Sequence, residues 1–124
     1  MIYGVDTNAF SRALAGIRDD FATRLRRVLR DNAARLPPVV VTELLSTPGI
    51  GTGARRLILS VPRLEVLDGY WERAGLLRSE LLQLRLKANL ADALIAQSCI
   101  DHDIPLITYD RDFRHFVRAG LKLA

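Results

Sequence analysis

Short apolar runs alternate with longer segments of helical periodicity along this chain of 124 residues. Residues 2–5 are mostly apolar and are followed at once by the polar residues Asp6, Thr7 and Asn8. A short apolar run that ends in turn-forming residues is typical of a buried strand. Similar runs predict strands at residues 39–41, 63–67 and 104–108, with a candidate edge strand at residues 121–123.

The segments between these runs carry the apolar spacing of helices. From Phe21, apolar residues recur at i+4, i+7 and i+8, which predicts a helix from Asp19 or Asp20 to about Arg35. The prolines at 37 and 38 are expected to end it, because proline lacks the backbone donor. Further helices are predicted at residues 9–14, 54–59, 70–86 and 91–101, and one capped by Thr42 that begins at Glu43. Residues 110–116 form a loop or tight helical turn. Alternating strands and helices predict one α/β domain over residues 1–124, a mostly parallel sheet flanked by helices on both faces.

Three acidic residues follow predicted strands, namely Asp6, Glu43 and Asp110. The carboxyl ends of parallel strands meet at one edge of a sheet, where α/β folds bind their ligands. Asp92 is a lone charge in the otherwise apolar segment 90–96. Buried carboxylates are rare unless they are paired or bind a metal ion. We therefore predict that the four acids converge, although each alone is also explained as a helix cap or a solvated charge.

An oxygen-only cluster of this kind favours Mg²⁺, with Mn²⁺ as an alternative, because hard cations prefer carboxylates and water. Zinc is not indicated: Cys99 is the only cysteine, and His102 and His115 lie apart in the sequence. A metal ion held by carboxylates can activate water for phosphodiester hydrolysis. The sequence thus favours metal-dependent hydrolysis over covalent catalysis.

The charge of the chain is compatible with an anionic polymer as partner. The formal net charge is +4, and all cationic side chains except Lys87 and Lys122 are arginine. Guanidinium groups suit phosphate, although a GC-rich genome explains the arginine content equally well. The chain shows neither a signal peptide nor an apolar run near the roughly 20 residues that span a bilayer. We expect a cytoplasmic protein without membrane contact.

Four motifs in this order resemble the PIN domain, and the resemblance is closest to VapC-type toxins of toxin–antitoxin pairs. It covers residues 2–123, nearly the whole chain. The motifs are Asp6-Thr7-Asn8, Val41-Thr42-Glu43-Leu44, Leu90-Ala91-Asp92-Ala93-Leu94-Ile95-Ala96 and Leu106-Ile107-Thr108-Tyr109-Asp110-Arg111-Asp112-Phe113.

The resemblance implies a PIN-like three-layer α/β sandwich and a Mg²⁺- or Mn²⁺-dependent endoribonuclease that cleaves RNA. It also implies a homodimer that a small VapB-like antitoxin inhibits. The residues that would form the metal site are Asp6, Glu43, Asp92 and Asp110. Asp112 is an alternative to Asp110, and the number of metal ions, one or two, stays open.

Several further residues are candidates for supporting roles. Thr108 can hydrogen-bond a neighbouring acid, and Asn8 can orient Asp6 or a bound water, although both are also ordinary turn residues. The leucine-rich segment 70–86 with Trp71 is a candidate dimer face or antitoxin groove. Candidates for RNA phosphate contacts, on their nearness in sequence to the acids, are Arg85, Arg111 and Arg114.

Two rival functions remain at this point. A catalytically silent PIN-fold module would bind RNA or protein without cutting, but all four acids are present here. An aspartyl-phosphate protein would need a lysine near the acids, and neither Lys87 nor Lys122 follows a strand in the right place.

Overall fold

The computed structural model describes residues 1–124, which form a small parallel sheet covered by helices. The strands are β1 (Tyr3–Val5), β2 (Ala34–Arg35) and β3 (Leu106–Ile107). The helices are α1 (Thr7–Leu14), α2 (Asp20–Arg30), α3 (Pro38–Leu45), α4 (Thr52–Ser60), α5 (Tyr70–Gln83), α6 (Leu90–Asp101) and a final 3₁₀ helix (Arg111–Ala119).

The sheet has the strand order β2–β1–β3, and both pairings are parallel. Tyr3 is in register with Ala34, and Gly4 is in register with both Arg35 and Leu106. Since β1 is the central strand, its carboxyl end lies in the middle of the edge where ligands bind. The predicted α/β class with a parallel sheet flanked by helices is confirmed.

The second predicted strand is wrong, because residues 39–41 belong to α3. Pro38 occupies the first turn of α3, where its missing N–H needs no acceptor. The proline pair therefore starts a helix, and α2 has already ended at Arg30. Asn32 then takes a left-handed conformation, with φ 55°, and the chain enters β2.

The other boundaries differ less. Arg63 and Leu123 each form a single parallel bridge, with Leu36 and Leu106, so the strands predicted at 63–67 and 121–123 are reduced to one pairing each. Thr42 lies inside α3 and caps nothing. Segment 110–116 continues as the 3₁₀ helix to Ala119, and α5 ends at Gln83. Asp19 caps α2, because its Oδ1 atom accepts a hydrogen bond from the Ala22 amide at 2.7 Å.

Helix α6 lies directly against the central strand. A side chain at Gly4 would collide with the Sγ atom of Cys99, so only glycine allows this approach. Cys99 is a buried core side chain. The close packing fixes α6, and with it Asp92 in its first turn, relative to the end of β1.

Helix α5 divides its leucines between core and surface. Leu77 and Leu81 are buried, whereas Leu76 is 72% exposed and Trp71 is 59% exposed.

None of the helices combines the length and apolar character that crossing a membrane requires.

Candidate functional site

Asp6 is placed by the end of the central strand. It follows Val5 directly and caps α1, where its Oδ1 atom accepts a hydrogen bond from the Ala9 amide at 2.8 Å. Its Oδ2 atom accepts a hydrogen bond from the Thr108 hydroxyl. The residue is only 3% exposed. Both oxygens of a nearly buried carboxylate are therefore held in fixed positions.

Thr108 joins Asp6 to the loop after β3. Its Oγ1 atom donates to Asp6 and accepts from the Asp110 amide at 2.9 Å. Asp110 in turn caps the 3₁₀ helix, since its Oδ1 atom accepts from the Asp112 amide at 2.8 Å. One threonine hydroxyl thus connects the ends of two neighbouring strands.

The loop after β3 is also braced from the side. The Tyr109 ring lies 3.6 Å from the Phe21 ring, measured between centroids, and the Arg12 guanidinium lies 4.2 Å from the Tyr109 centroid. The Tyr109 hydroxyl donates to Asp19 Oδ1 at 3.1 Å. These contacts anchor the loop to α1 and α2.

The other two acids come from helices. Glu43 lies in α3 and is exposed, and its Oε1 atom accepts from the Thr7 hydroxyl at 2.6 Å. Asp92 lies in the first turn of α6, is half-buried, and has neither a hydrogen bond nor an ion pair to its carboxylate. An acid in a helix's first turn is favoured by the helix dipole, which is the only stabilisation evident for Asp92.

The acids influence one another electrostatically. Burial raises the pKa of Asp6 to about 6, against the hydrogen bonds from Thr108 and Ala9, and the charges of Asp110 and Glu43 add to the rise. Burial also raises the pKa of Asp92 to about 6, and the charges of Asp110, Asp6, Asp112 and Glu43 contribute. Acids from four parts of the chain, at residues 6, 43, 92 and 110–112, therefore influence one region, as expected where like charges approach each other.

The acids do not form a ready-made coordination sphere. No group of three or more His, Cys, Asp or Glu side chains is arranged so that it could hold a metal ion as it stands. The donor chemistry nevertheless fits a hard cation, because the four acids offer carboxylate oxygens and the Asp92 carboxylate has no hydrogen-bond or ion-pair partner. A cation would offset the mutual repulsion that adds to the effect of burial in raising both pKa values.

The remaining sequence candidates are spread around this region. Asn8 is exposed and makes no side-chain hydrogen bond, so it does not orient Asp6 here. The three candidate arginines are exposed, and none of them forms an ion pair. Arg114 donates a hydrogen bond from Nε to the Arg111 carbonyl at 3.2 Å.

Two contacts are not evident from the sequence. Lys87 Nζ lies 3.1 Å from Asp112 Oδ2, although Lys87 follows no strand. The Thr7 hydroxyl holds Glu43 from a distance of 36 residues. The sequence marks Lys87 in two ways only: it is one of two lysines in a chain whose other cationic side chains are arginines, and it lies five residues before Asp92.

A comparison with protein families matches residues 3–119 to the PIN domain. The chain belongs to the PIN domain family. Among solved structures, VapBC2 from Rickettsia felis bound to a DNA fragment from their promoter is similar with a TM-score of 0.76 and 25% identity, over 100% of this chain and 98% of that chain. FitAcB from Neisseria gonorrhoeae is similar in fold, with a TM-score of 0.71 and 17% identity, over 98% of this chain and 96% of that chain. None of the curated proteins compared with this sequence matches it.

Membership of the PIN family confirms the resemblance drawn from the four sequence motifs. PIN domains are generally nucleases and typically use divalent metal ions. The likeness to VapBC2 and to FitAcB agrees with the PIN fold of this chain.

Proposed function

We propose that this protein is a Mg²⁺- or Mn²⁺-dependent endoribonuclease, the toxin of a VapBC-type toxin–antitoxin pair. The observation that carries the proposal is the acidic edge of the sheet. There, a buried and doubly hydrogen-bonded Asp6 lies in the field of Asp110 and Glu43, and the charges of all three act on Asp92. Family membership supports the nuclease class, and the charges support the metal.

Asp6, Asp92 and Asp110 are the residues that would hold the metal ion. Such an ion supplies a Lewis acid that lowers the pKa of water and offsets the charge of a phosphate. Thr108 keeps Asp6 oriented by donating to its Oδ2 atom, so that the charged carboxylate points in one direction. Glu43 is exposed and tethered only by Thr7, which suits either a second ion or the orientation of a water molecule.

The proposed partners follow from the similar structures and from the charge. VapBC2 of Rickettsia felis is a complex, and by analogy we propose a small VapB-like antitoxin for this chain. The proposed substrate is RNA, with Arg85, Arg111 and Arg114, which are exposed and lie near the acids in the sequence, as candidates for phosphate contacts. We also propose a homodimer, for which the exposed Trp71 and Leu76 of α5 offer apolar surface.

The test is cleavage of a fluorescent single-stranded RNA with Mn²⁺ and with EDTA. We expect the wild-type protein to cut only with Mn²⁺, and the Asp6→Asn and Asp92→Asn variants to lose the activity. Asp31→Asn, an exposed acid at the end of α2, is the matched control and should cut normally. Binding of RNA without cleavage under all conditions would instead favour the silent binding module.

A further inference from the structure

Lys87 is presented by a loop whose backbone is held from two sides. The loop connects α5 to α6, and the Lys87 carbonyl accepts a hydrogen bond from His115 Nδ1 at 3.1 Å. The next carbonyl, that of Ala88, accepts from Arg78 Nε at 2.8 Å. Arg85 precedes them in a left-handed conformation, with φ 60°. A long side chain on this loop therefore starts from a fixed point.

The ammonium group of Lys87 stands at the rim of the acidic region. Its Nζ atom lies 3.1 Å from Asp112 Oδ2, while the lysine side chain is 63% exposed. The hydrogen bond and charge of Asp112 raise the pKa of Lys87, and the charges of Asp110 and Asp92 add to this effect. Lys87 is thus a permanent cation that faces both the acids and the solvent.

A region made only of acids repels a polyanion, so a nucleic acid needs a cation close to the point of contact. Lysine is a common point-charge ligand of phosphate. An exposed ion pair is weak, because water screens it, so a phosphate oxygen can compete with Asp112 for the ammonium.

We propose that Lys87 binds a backbone phosphate of the RNA at the rim of the acidic site, and that the ion pair with Asp112 positions its ammonium group there. This inference rests on the proposed nuclease function. It assigns a substrate contact to a residue that lies outside the acidic motifs and outside the three candidate arginines.

The chain contains a matched control for this role. Lys122, the only other lysine, forms an ion pair with Asp103 at 2.7 Å, and its side chain is 61% exposed. Asp103 follows the carboxyl end of α6, whereas Asp92 lies at its amino end. The two lysine side chains therefore have similar exposure, 63% for Lys87 and 61% for Lys122, while Asp103 is 81% exposed and Asp112 is 31% exposed.

The experiment measures binding of a fluorescent single-stranded RNA by anisotropy in EDTA, where no cleavage occurs, over a series of salt concentrations. Loss of one phosphate contact on a single strand should lower the slope of log K against log salt by about 0.7. We expect this decrease and weaker binding for Lys87→Gln with any RNA sequence, recovery with Lys87→Arg, and wild-type values for Lys122→Gln. In Mn²⁺, the KM of Lys87→Gln should rise more than its kcat falls.

The outcomes separate this inference from the proposed function. Wild-type protein that neither cuts nor binds RNA overturns both. Wild-type cleavage together with identical slopes and KM values for Lys87→Gln and Lys122→Gln overturns the inference alone. A Lys87→Gln variant that melts at a lower temperature but keeps the wild-type slope and KM shows that the lysine only neutralises Asp112, which also overturns it.

Discussion

The acids at the strand ends and the acids on the helices are held in different ways. Asp6 and Asp110 belong to one hydrogen-bonded unit that passes through the Thr108 hydroxyl. Glu43 has a single contact to Thr7, and Asp92 has no side-chain partner at all. The strand-end half of the site is therefore built in advance, and the helix half is free to adjust.

This difference accounts for the absence of a ready-made coordination sphere. Like charges that are not neutralised favour separation, and the helix half, held only by the Thr7–Glu43 hydrogen bond, can respond. We expect a bound cation to draw Asp92 and Glu43 towards the fixed pair. Substitutions in the two halves should consequently have different effects on folding and on activity.

The largest effect is expected at Asp6. Both Asp6→Asn and Asp6→Ala should lose cleavage by about 100-fold or more, because the charge proposed to hold the metal is gone. Alanine should also lower the free energy of unfolding by about 1 kcal/mol, since it removes the cap of α1. Asparagine keeps an acceptor for Ala9. RNA cleavage and urea unfolding measure the two effects; full activity in either variant would contradict the assignment.

Substitution of Thr108 tests whether cleavage needs the hydrogen bonds that join Asp6 to Asp110. Thr108→Val keeps the shape but removes the hydroxyl, so we expect a loss of activity of about 10- to 100-fold. Thr108→Ser retains the hydroxyl and should recover most of the activity. A valine variant as active as wild type would show that Asp6 needs no support from this side.

The pH dependence of stability tests whether burial and repulsion raise the pKa values of Asp6 and Asp92. The pKa of both Asp6 and Asp92 is raised from 3.8 to about 6, so the folded state holds these protons more tightly than the unfolded chain. This contribution is present below about pH 4 and is lost as the pH rises through about 6. For Asp6 it amounts to at most about 3 kcal/mol, at 1.36 kcal/mol per pKa unit.

Asp92→Asn should remove the part of this loss of stability that comes from the Asp92 carboxylate. The metal-free variant should therefore gain stability relative to wild type as the pH rises from 4 to 7, and Mg²⁺ should raise the melting temperature of wild type only. Chemical unfolding at several pH values and thermal melting with and without Mg²⁺ measure both effects. Parallel pH curves for wild type and variant would mean that the pKa of Asp92 is not raised in the folded protein.

The smallest effect is expected at Glu43, because it is exposed and singly tethered. Glu43→Gln should reduce cleavage by about 10-fold and leave stability unchanged within the error of urea unfolding. Thr7→Val should act in the same direction and more weakly. An effect of Glu43→Gln as large as that of Asp6→Asn would place Glu43 at the centre of the site.

The two halves also differ in how far the sequence predicts them. Strands β1 and β3 are short apolar runs that end in turn residues, so the positions of Asp6 and Asp110 follow from local pattern. Residues 39–41 show the same pattern, yet they form part of α3. Helix α3 buries Val40, Val41 and Leu44 on one side. In so short an apolar run, the spacing of these residues fits a strand as well as a helix.

Contacts over long sequence distances lie outside any local pattern. The Lys87–Asp112 pair depends on a loop conformation set by His115 and Arg78. The Thr7–Glu43 bond depends on how α3 packs beside α1. Family motifs identify the acids in order, but tertiary packing decides which side chains support them.

Mn²⁺ binding at pH 7.5, followed by electron paramagnetic resonance of the free ion, tests the central claim most directly. The claim is that acids from strand ends and helices share one cation. We predict saturable binding to the wild-type protein and to Asp31→Asn, and strongly weakened binding to Asp6→Asn and Asp92→Asn. Equal binding by all four proteins, or no saturable binding by wild type, would contradict the account.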